Sequence, residues 1–247
     1  MKATFNSSGK RPIKIAVFDV DRTLLVGTSA EELLARALRR DQMLPLCRVF
    51  AGLWQMLRHL HQGWEAAVYY KSYYIKGLNE AEVLSRIPAV IDNKVMPRLS
   101  PKLLAFIPYL KAAGYRILIV SGTLDPIVQG LVRRLGVDGG EGSVLESING
   151  IYTGRIEDVH PYHHGKPLVL DRLLGEETVD WKRSFSFGDS WADVPLLSRF
   201  GHPVAVNPGV FMRRQAKRRG WITLNDGLEN PNPLDLGVLL ERLKQTV

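Results

Sequence analysis

The stretch Asp19-Val20-Asp21-Arg22-Thr23 sets two carboxylates two residues apart at the end of the apolar run 13–20. A carboxylate can attack phosphorus to give a covalent phosphoryl intermediate, and a second carboxyl whose pKa is raised by its neighbour can protonate the leaving oxygen. A further acidic pair occurs in Gly188-Asp189-Ser190-Trp191-Ala192-Asp193. Asp189 and Asp193, four residues apart across a strand end and a helix start, can face one hard cation, and Mg2+ favours a few such oxygens plus water and substrate oxygens. Between these pairs lie Ser121-Gly122, a hydroxyl and a close backbone amide before a helix, and Lys166, an ammonium at another helix start. Together they could hold phosphate oxygens. Taken singly, each has a plainer reading: a turn with Asp125 as cap, a surface lysine, or Asp193 as a helix N-cap.

The elements that must position these residues alternate along the chain. Apolar, β-rich runs at 13–20, 116–120, 184–187 and 202–206, with a shorter one at 222–224, are separated by helical patterns at 101–113, 126–135, 167–174, 194–199 and 211–219. Such alternation predicts βαβ units and a parallel sheet, whose ligand sites lie at the carboxyl ends of the strands. Asp19, Ser121-Gly122 and Asp189 all fall at such ends. About 95 residues separate the first two strands, far more than a usual βα connection. Helical periodicity at 31–40, 49–60 and 66–75 predicts an inserted helical subdomain there. Asn149-Gly150, inside 143–156, predicts a hairpin.

These motifs, in this order, resemble the haloacid dehalogenase (HAD) superfamily of phosphohydrolases. The resemblance runs from Ile15 to about Leu224. The helical insertion resembles the C1-type cap of the phosphoserine phosphatase-like subclass. Gly188-Asp189-Ser190 with Asp193-Val194-Pro195-Leu196-Leu197, followed by Gly201-His202-Pro203-Val204-Ala205-Val206-Asn207-Pro208, is similar to subfamily IB. The implied fold is α/β, a Rossmann-like parallel sheet with an all-α cap: tail 1–12, core 13–27 and 98–247, cap 28–97. The implied roles are Asp19 as nucleophile and Asp21 as acid and base. Ser121, Gly122 and Lys166 would bind phosphate, while Asp19, the Asp21 carbonyl, Asp189 and Asp193 would hold Mg2+. Thr23 would orient the loop, and His163 and His164 would sit at the rim.

The resemblance implies a small phosphomonoester as substrate, with histidinol phosphate a first candidate because the cap is rich in aromatic and basic residues: Trp54, Trp64, Tyr69, Tyr70, Tyr73, Tyr74, Arg58, His59, His61, Lys71 and Lys76. Phosphoserine phosphatases carry a glutamate nine residues beyond the nucleophile, and that position here is Thr28. Glu31 and Glu32 lie about one helical turn further, a displacement near 5 Å, so phosphoserine is expected to be a poor substrate. Transfer of the phosphoryl group to an acceptor other than water would use the same intermediate.

Composition narrows the alternatives. A net charge of +8 admits anionic small molecules, nucleic acid or an anionic surface. The densest cluster, Arg213, Arg214, Lys217, Arg218 and Arg219, fits a solvated helix face, and no nucleic-acid reader motif accompanies it. The single cysteine, Cys47, excludes an intrachain disulfide and a multi-thiolate metal site. No run reaches the roughly 20 apolar residues of a membrane span, and the polar start lacks a signal-peptide core, so a cytoplasmic protein is expected. The oligomeric state is left open.

Overall fold

The computed structural model describes residues 11–59, 61, 71–225 and 233–246. In chain order the elements are β1 (Lys14–Phe18), α1 (Ala30–Arg40), α2 (Leu46–His59), α3 (Glu80–Val90), α4 (Pro101–Ala112), β2 (Tyr115–Leu124) and α5 (Asp125–Leu135). Then follow β3 (Gly139–Ser143), β4 (Leu145–Ile148), β5 (Ile151–Ile156), α6 (Gly165–Leu174), β6 (Phe185–Gly188), α7 (Val194–Leu197), β7 (His202–Val206), α8 (Val210–Arg219), β8 (Ile222–Leu224) and α9 (Pro233–Lys244).

Six parallel strands form the main sheet in the order β3-β2-β1-β6-β7-β8. Ile15, Ala16, Val17 and Phe18 of β1 are all buried, as expected of a central strand covered on both faces. Strand order reverses between β1 and β6, the crevice where such sheets bind ligands. There Phe18 and Phe187 stack with centroids 4.3 Å apart and planes 3° apart, and Phe106 of α4 meets Phe187 edge-on. Each such contact adds about 0.5–1.5 kcal/mol beyond area burial. The floor beneath the first acidic motif is therefore rigid.

Several parts of the fold were not expected from sequence. β2 does not stop at Val120 but runs to Leu124, with its register against β3 shifting between Val120 and Leu124, so Ser121-Gly122 lies within the irregular end of the strand. β3 has the sequence GGEGS, which carries no β-branched signal. Its glycines answer to space instead, since a Cβ at Gly140 would stand 2.7 Å from the Ile119 carbonyl oxygen. The closing helix α9 also went unread, although Tyr115 Oη of β2 donates to Thr246 Oγ1 just beyond it, at 2.7 Å.

Between β1 and β2 the chain is helical where described. Ser29 caps α1 by accepting from the Glu32 amide at 3.1 Å, and Leu33, Leu34 and Leu38 bury its apolar stripe. Lys71–Ile75 forms a 3-10 turn rather than the end of an α-helix, and α3, unread in the sequence, follows it. Trp64, Tyr69, Tyr70 and the tail before residue 11 lie outside the described residues. The predicted hairpin is present as β4-β5, with Asn149 at φ 52° and Gly150 at φ 76°, the paired positive values of a two-residue turn. It docks on the helical segment by backbone bonds Gly77 N to Tyr152 O (2.7 Å), Tyr152 N to Leu78 O (3.0 Å) and Glu80 N to Gly150 O (2.8 Å). Among the described residues no helix is long and apolar enough to cross a membrane.

Candidate active site

The neighbouring strands β2, β1 and β6 deliver Ser121-Gly122, Asp19 and Asp189 to one rim of the sheet, where they line a cavity of about 520 Å³. Asp21 and Lys166 share its wall. Past β1 the backbone folds over itself: the Asp19 carbonyl accepts from the Leu24 amide at 3.3 Å, the Val20 carbonyl from Leu25 at 2.8 Å, and Arg22 takes φ 61°. Thr23 is buried under this loop with its amide on the Val20 carbonyl at 3.2 Å. The fold-back turns Asp21 toward α1, where its Oδ1 accepts from the Ala30 amide at 2.8 Å. A carboxylate at a helix N-terminus meets both an unpaired donor and the positive end of the helix dipole.

Lys166 is the centre of the polar cluster. Its Nζ donates to Asp19 Oδ1 at 2.7 Å and also to Asp193 Oδ1, and all three residues are buried. The Asp193 side chain does not cap α7, as one reading of the sequence had it. Its Oδ2 reaches back to accept from the Asp189 amide at 3.1 Å, the Ser190 amide at 2.9 Å and Ser190 Oγ at 3.0 Å. Gly188 is required here, because a Cβ on it would stand 2.5 Å from the Cβ of Asp193. One oxygen from each of Asp19, Asp189 and Asp193 falls within 4.8 Å of the others, an oxygen-only set suited to a hard divalent cation. Since Asp193 spends both its oxygens on the loop and on Lys166, it is chiefly the residue that positions Asp189 and the lysine.

A family model for haloacid dehalogenase-like hydrolases matches residues 16–198, from the strand before Asp19 to just beyond Asp193. The chain belongs to the haloacid dehalogenase-like hydrolases. A protein of Mycobacterium tuberculosis named phosphoserine phosphatase is 30% identical over 89% of this chain and 74% of its own length. A histidinol-phosphatase of Neisseria meningitidis is 25% identical over 85% of this chain and 98% of that one. A crystal structure of a Bordetella pertussis protein of unknown function superposes with a TM-score of 0.73 at 24% identity, covering 88% of this chain and all of the other.

In this hydrolase burial, with the crowding of carboxylates, shifts the acidic groups of the site. Burial pushes Asp19 up to about 6, against the pull of Lys166 and with added repulsion from Asp193 and Asp21. Burial, then Asp193 and Asp19, push Asp189 up to about 8. Burial works against charge on Lys166, yet Asp19 and Asp193 outweigh it and hold the lysine firmly protonated. A cation set among the carboxylates would relieve their repulsion.

Sequence reasoning missed several residues of the hydrolase's site. Ser143 Oγ donates to the Gly122 carbonyl at 2.8 Å and pairs with His160 Nδ1 at 2.8 Å. The backbone of His160 packs so tightly on Gly165 that a Cβ there would stand 1.9 Å from its carbonyl oxygen. A buried path thus couples the Ser121-Gly122 turn to Lys166. Only the glycine before Lys166 hinted at it. Glu31, Glu32, Tyr74, Tyr162, Trp191 and Arg22 also line the cavity. Glu31 was expected to lie a helical turn out of reach, but α1 enters so close to the loop that Glu31 is buried on the cavity wall and accepts from Ser72 Oγ at 3.2 Å. Thr28 instead donates to Glu32 Oε2 at 2.8 Å. Tyr74 is buried with its hydroxyl unpaired, and burial, then Glu31 and Asp21, raise its pKa well above the ordinary tyrosine value. His163 sits against the Trp191 ring at 4.2 Å. The basic residues of α8 are exposed, and none of them lines the cavity.

Proposed function

We propose that this hydrolase is a Mg2+-dependent phosphomonoesterase of the subfamily IB type, working through an aspartyl-phosphate on Asp19. In this reading residues 28–97 form the cap over a core of residues 13–27 and 98–247. The observation that carries it is the buried Asp19 carboxylate, bonded to Lys166 at 2.7 Å and grouped with Asp189 and Asp193 at the sheet's switch point.

Asp19 attacks phosphorus in line as the bond to the leaving oxygen breaks, and the Asp21 carboxyl gives that oxygen its proton. The Asp21 carboxylate then takes a proton from water as the water attacks the phosphoryl group, and the bond to Asp19 breaks to release phosphate. Ser121, the Gly122 amide and Lys166 hold the phosphoryl oxygens throughout, since phosphoryl transfer asks the protein mainly for positioning and charge neutralisation. Asp19, the Asp21 carbonyl and Asp189 would hold the metal, with Asp193 beside it. When bound, Mg2+ supplies positive charge that keeps Asp19 ionised and offsets the phosphate oxygens.

The cavity volume and its mixed wall of Tyr162, Trp191, Tyr74 and Glu31 support a small monoester whose leaving group carries ring or amine character. Histidinol phosphate remains the first candidate. Rapid-quench mass spectrometry with an aryl phosphate tests the reading: a phosphorylated peptide containing Asp19, dependent on Mg2+, is expected. Steady turnover without any phosphopeptide would refute the covalent step.

A further inference from the structure

Helix α2 turns four large apolar side chains outward. Amphipathic helices of globular proteins turn their apolar stripe inward. Here Leu46, Phe50, Trp54 and Leu57, spaced to share one face, are 51%, 65%, 66% and 51% exposed. The described contacts on its other side are small or polar. A Cβ at Gly52 would stand 3.1 Å from the Tyr74 backbone nitrogen, Arg48 Nη1 donates to the Lys76 carbonyl at 2.8 Å, and Gln55 hydrogen-bonds Tyr73. So large an unpaired apolar face marks a contact surface.

Its surroundings choose the partner. Residues 42–64 contain no Asp or Glu, while exposed Arg58 borders the stripe. Beside the helix runs a cleft of about 320 Å³ where, among the described residues, Arg48, Ala51, Tyr73, Lys76 and Gly77 supply two cations and no carboxylate. A second copy docking face to face would set like charges against each other, with no acid on this helix to answer them. An apolar stripe holding a tryptophan, edged by basic groups, is instead what an interfacial helix presents to anionic lipid.

We propose that α2 docks the protein on an anionic membrane surface, with Leu46, Phe50, Trp54 and Leu57 entering the headgroup boundary and Arg58 at its edge meeting lipid phosphates. The turn Lys71–Ile75, on which Gly52 of the helix packs, carries Tyr74 on the catalytic cavity wall, so one turn separates the docked helix from the active site.

Cosedimentation of the full chain with sucrose-loaded vesicles tests this. Vesicles of phosphatidylcholine with phosphatidylglycerol should bind the protein at least about tenfold better than phosphatidylcholine alone, and added salt should weaken the binding. The double variant Phe50→Glu and Trp54→Glu should lose that binding at least about tenfold while keeping aryl phosphate turnover, which shows that it folds. Arg58→Glu should weaken binding only to the anionic vesicles. Equal binding by the double variant, or no binding by the native chain, would overturn the proposal. So would a lipid-free dimer that the double variant dissolves, which would make a second copy the partner.

Discussion

Lys166→Met removes the cation recorded between Asp19 and Asp193 while keeping most of the unbranched apolar stem. Removing one partner of a buried ion pair costs about 3–5 kcal/mol, because the remaining charge is left unpaired in a poor solvent. The cost should depend on pH in a particular way. In the native protein Asp19 titrates at about 6, raised by burial despite the lysine. A carboxyl whose folded pKa is raised loses stability as pH climbs from its unfolded value to its folded one, and the loss is constant above that. Without Lys166 the folded pKa rises further, so the variant goes on losing stability above pH 6 where the native protein has levelled off. The difference between the two should therefore be nearly flat below pH 6 and grow between pH 6 and 8 by up to about 1.4 kcal/mol per unit. Added over two units this is about 2–3 kcal/mol, or roughly 4–12 °C in melting temperature for a chain of this size. Thermal or urea unfolding of both proteins at pH 6 and pH 8, with chelator present, measures it. A difference that is equal at the two pH values would refute the assignment of Lys166 as the partner of an ionised Asp19.

Other outcomes can be stated briefly. Asp19→Asn should lower turnover of an aryl phosphate at least about a thousandfold, and near-normal turnover would remove Asp19 from its role. Asp189→Asn should weaken Mg2+ activation by about ten- to a hundredfold in a metal titration as well as slowing turnover; an unchanged titration would count against it as a ligand. With burial and its carboxylate neighbours raising Asp189 to about 8, the metal-free protein should lose stability from pH 4 to 8, so Mg2+ should raise the melting temperature more at pH 8 than at pH 5. Equal shifts would mean the carboxylates are not the metal's seat. Phosphoserine should have a lower kcat/KM than the best ester in a monoester panel, because Thr28 is committed to Glu32, and Glu31→Gln should erode any preference for amine-bearing esters. If phosphoserine leads the panel, Glu31 has taken over the work expected of residue 28.

The central strands and the polar residues at their ends were legible because a buried parallel strand must be a continuous apolar run, and its ligand groups can stand only where that run stops. Asp19, Ser121 and Asp189 were singled out in this way, and Lys166 by its place at a helix start. β3 was not, since a strand that fits by having no side chains shows only glycine. Ser143 and His160 escaped because their meaning is a contact made across the fold, and neither has a spacing that announces it. Glu31 was misjudged for a related reason. The distance along a helix was counted correctly, but the angle at which α1 enters the site is set by Asp21 holding the Ala30 amide, a bond between nominal motif and nominal insertion.

The β4-β5 hairpin bears on how ligands get in and out. It leaves the sheet directly after β3 and is stitched by three backbone bonds to residues 77–80, so it braces the helical part against the core like a strut. Any wide swing of those helices must either carry the hairpin along or unzip the stitches. The amides of Gly77, Glu80 and Tyr152 are therefore natural reporters: slow deuterium uptake there during turnover would describe an enzyme that loads its substrate without opening.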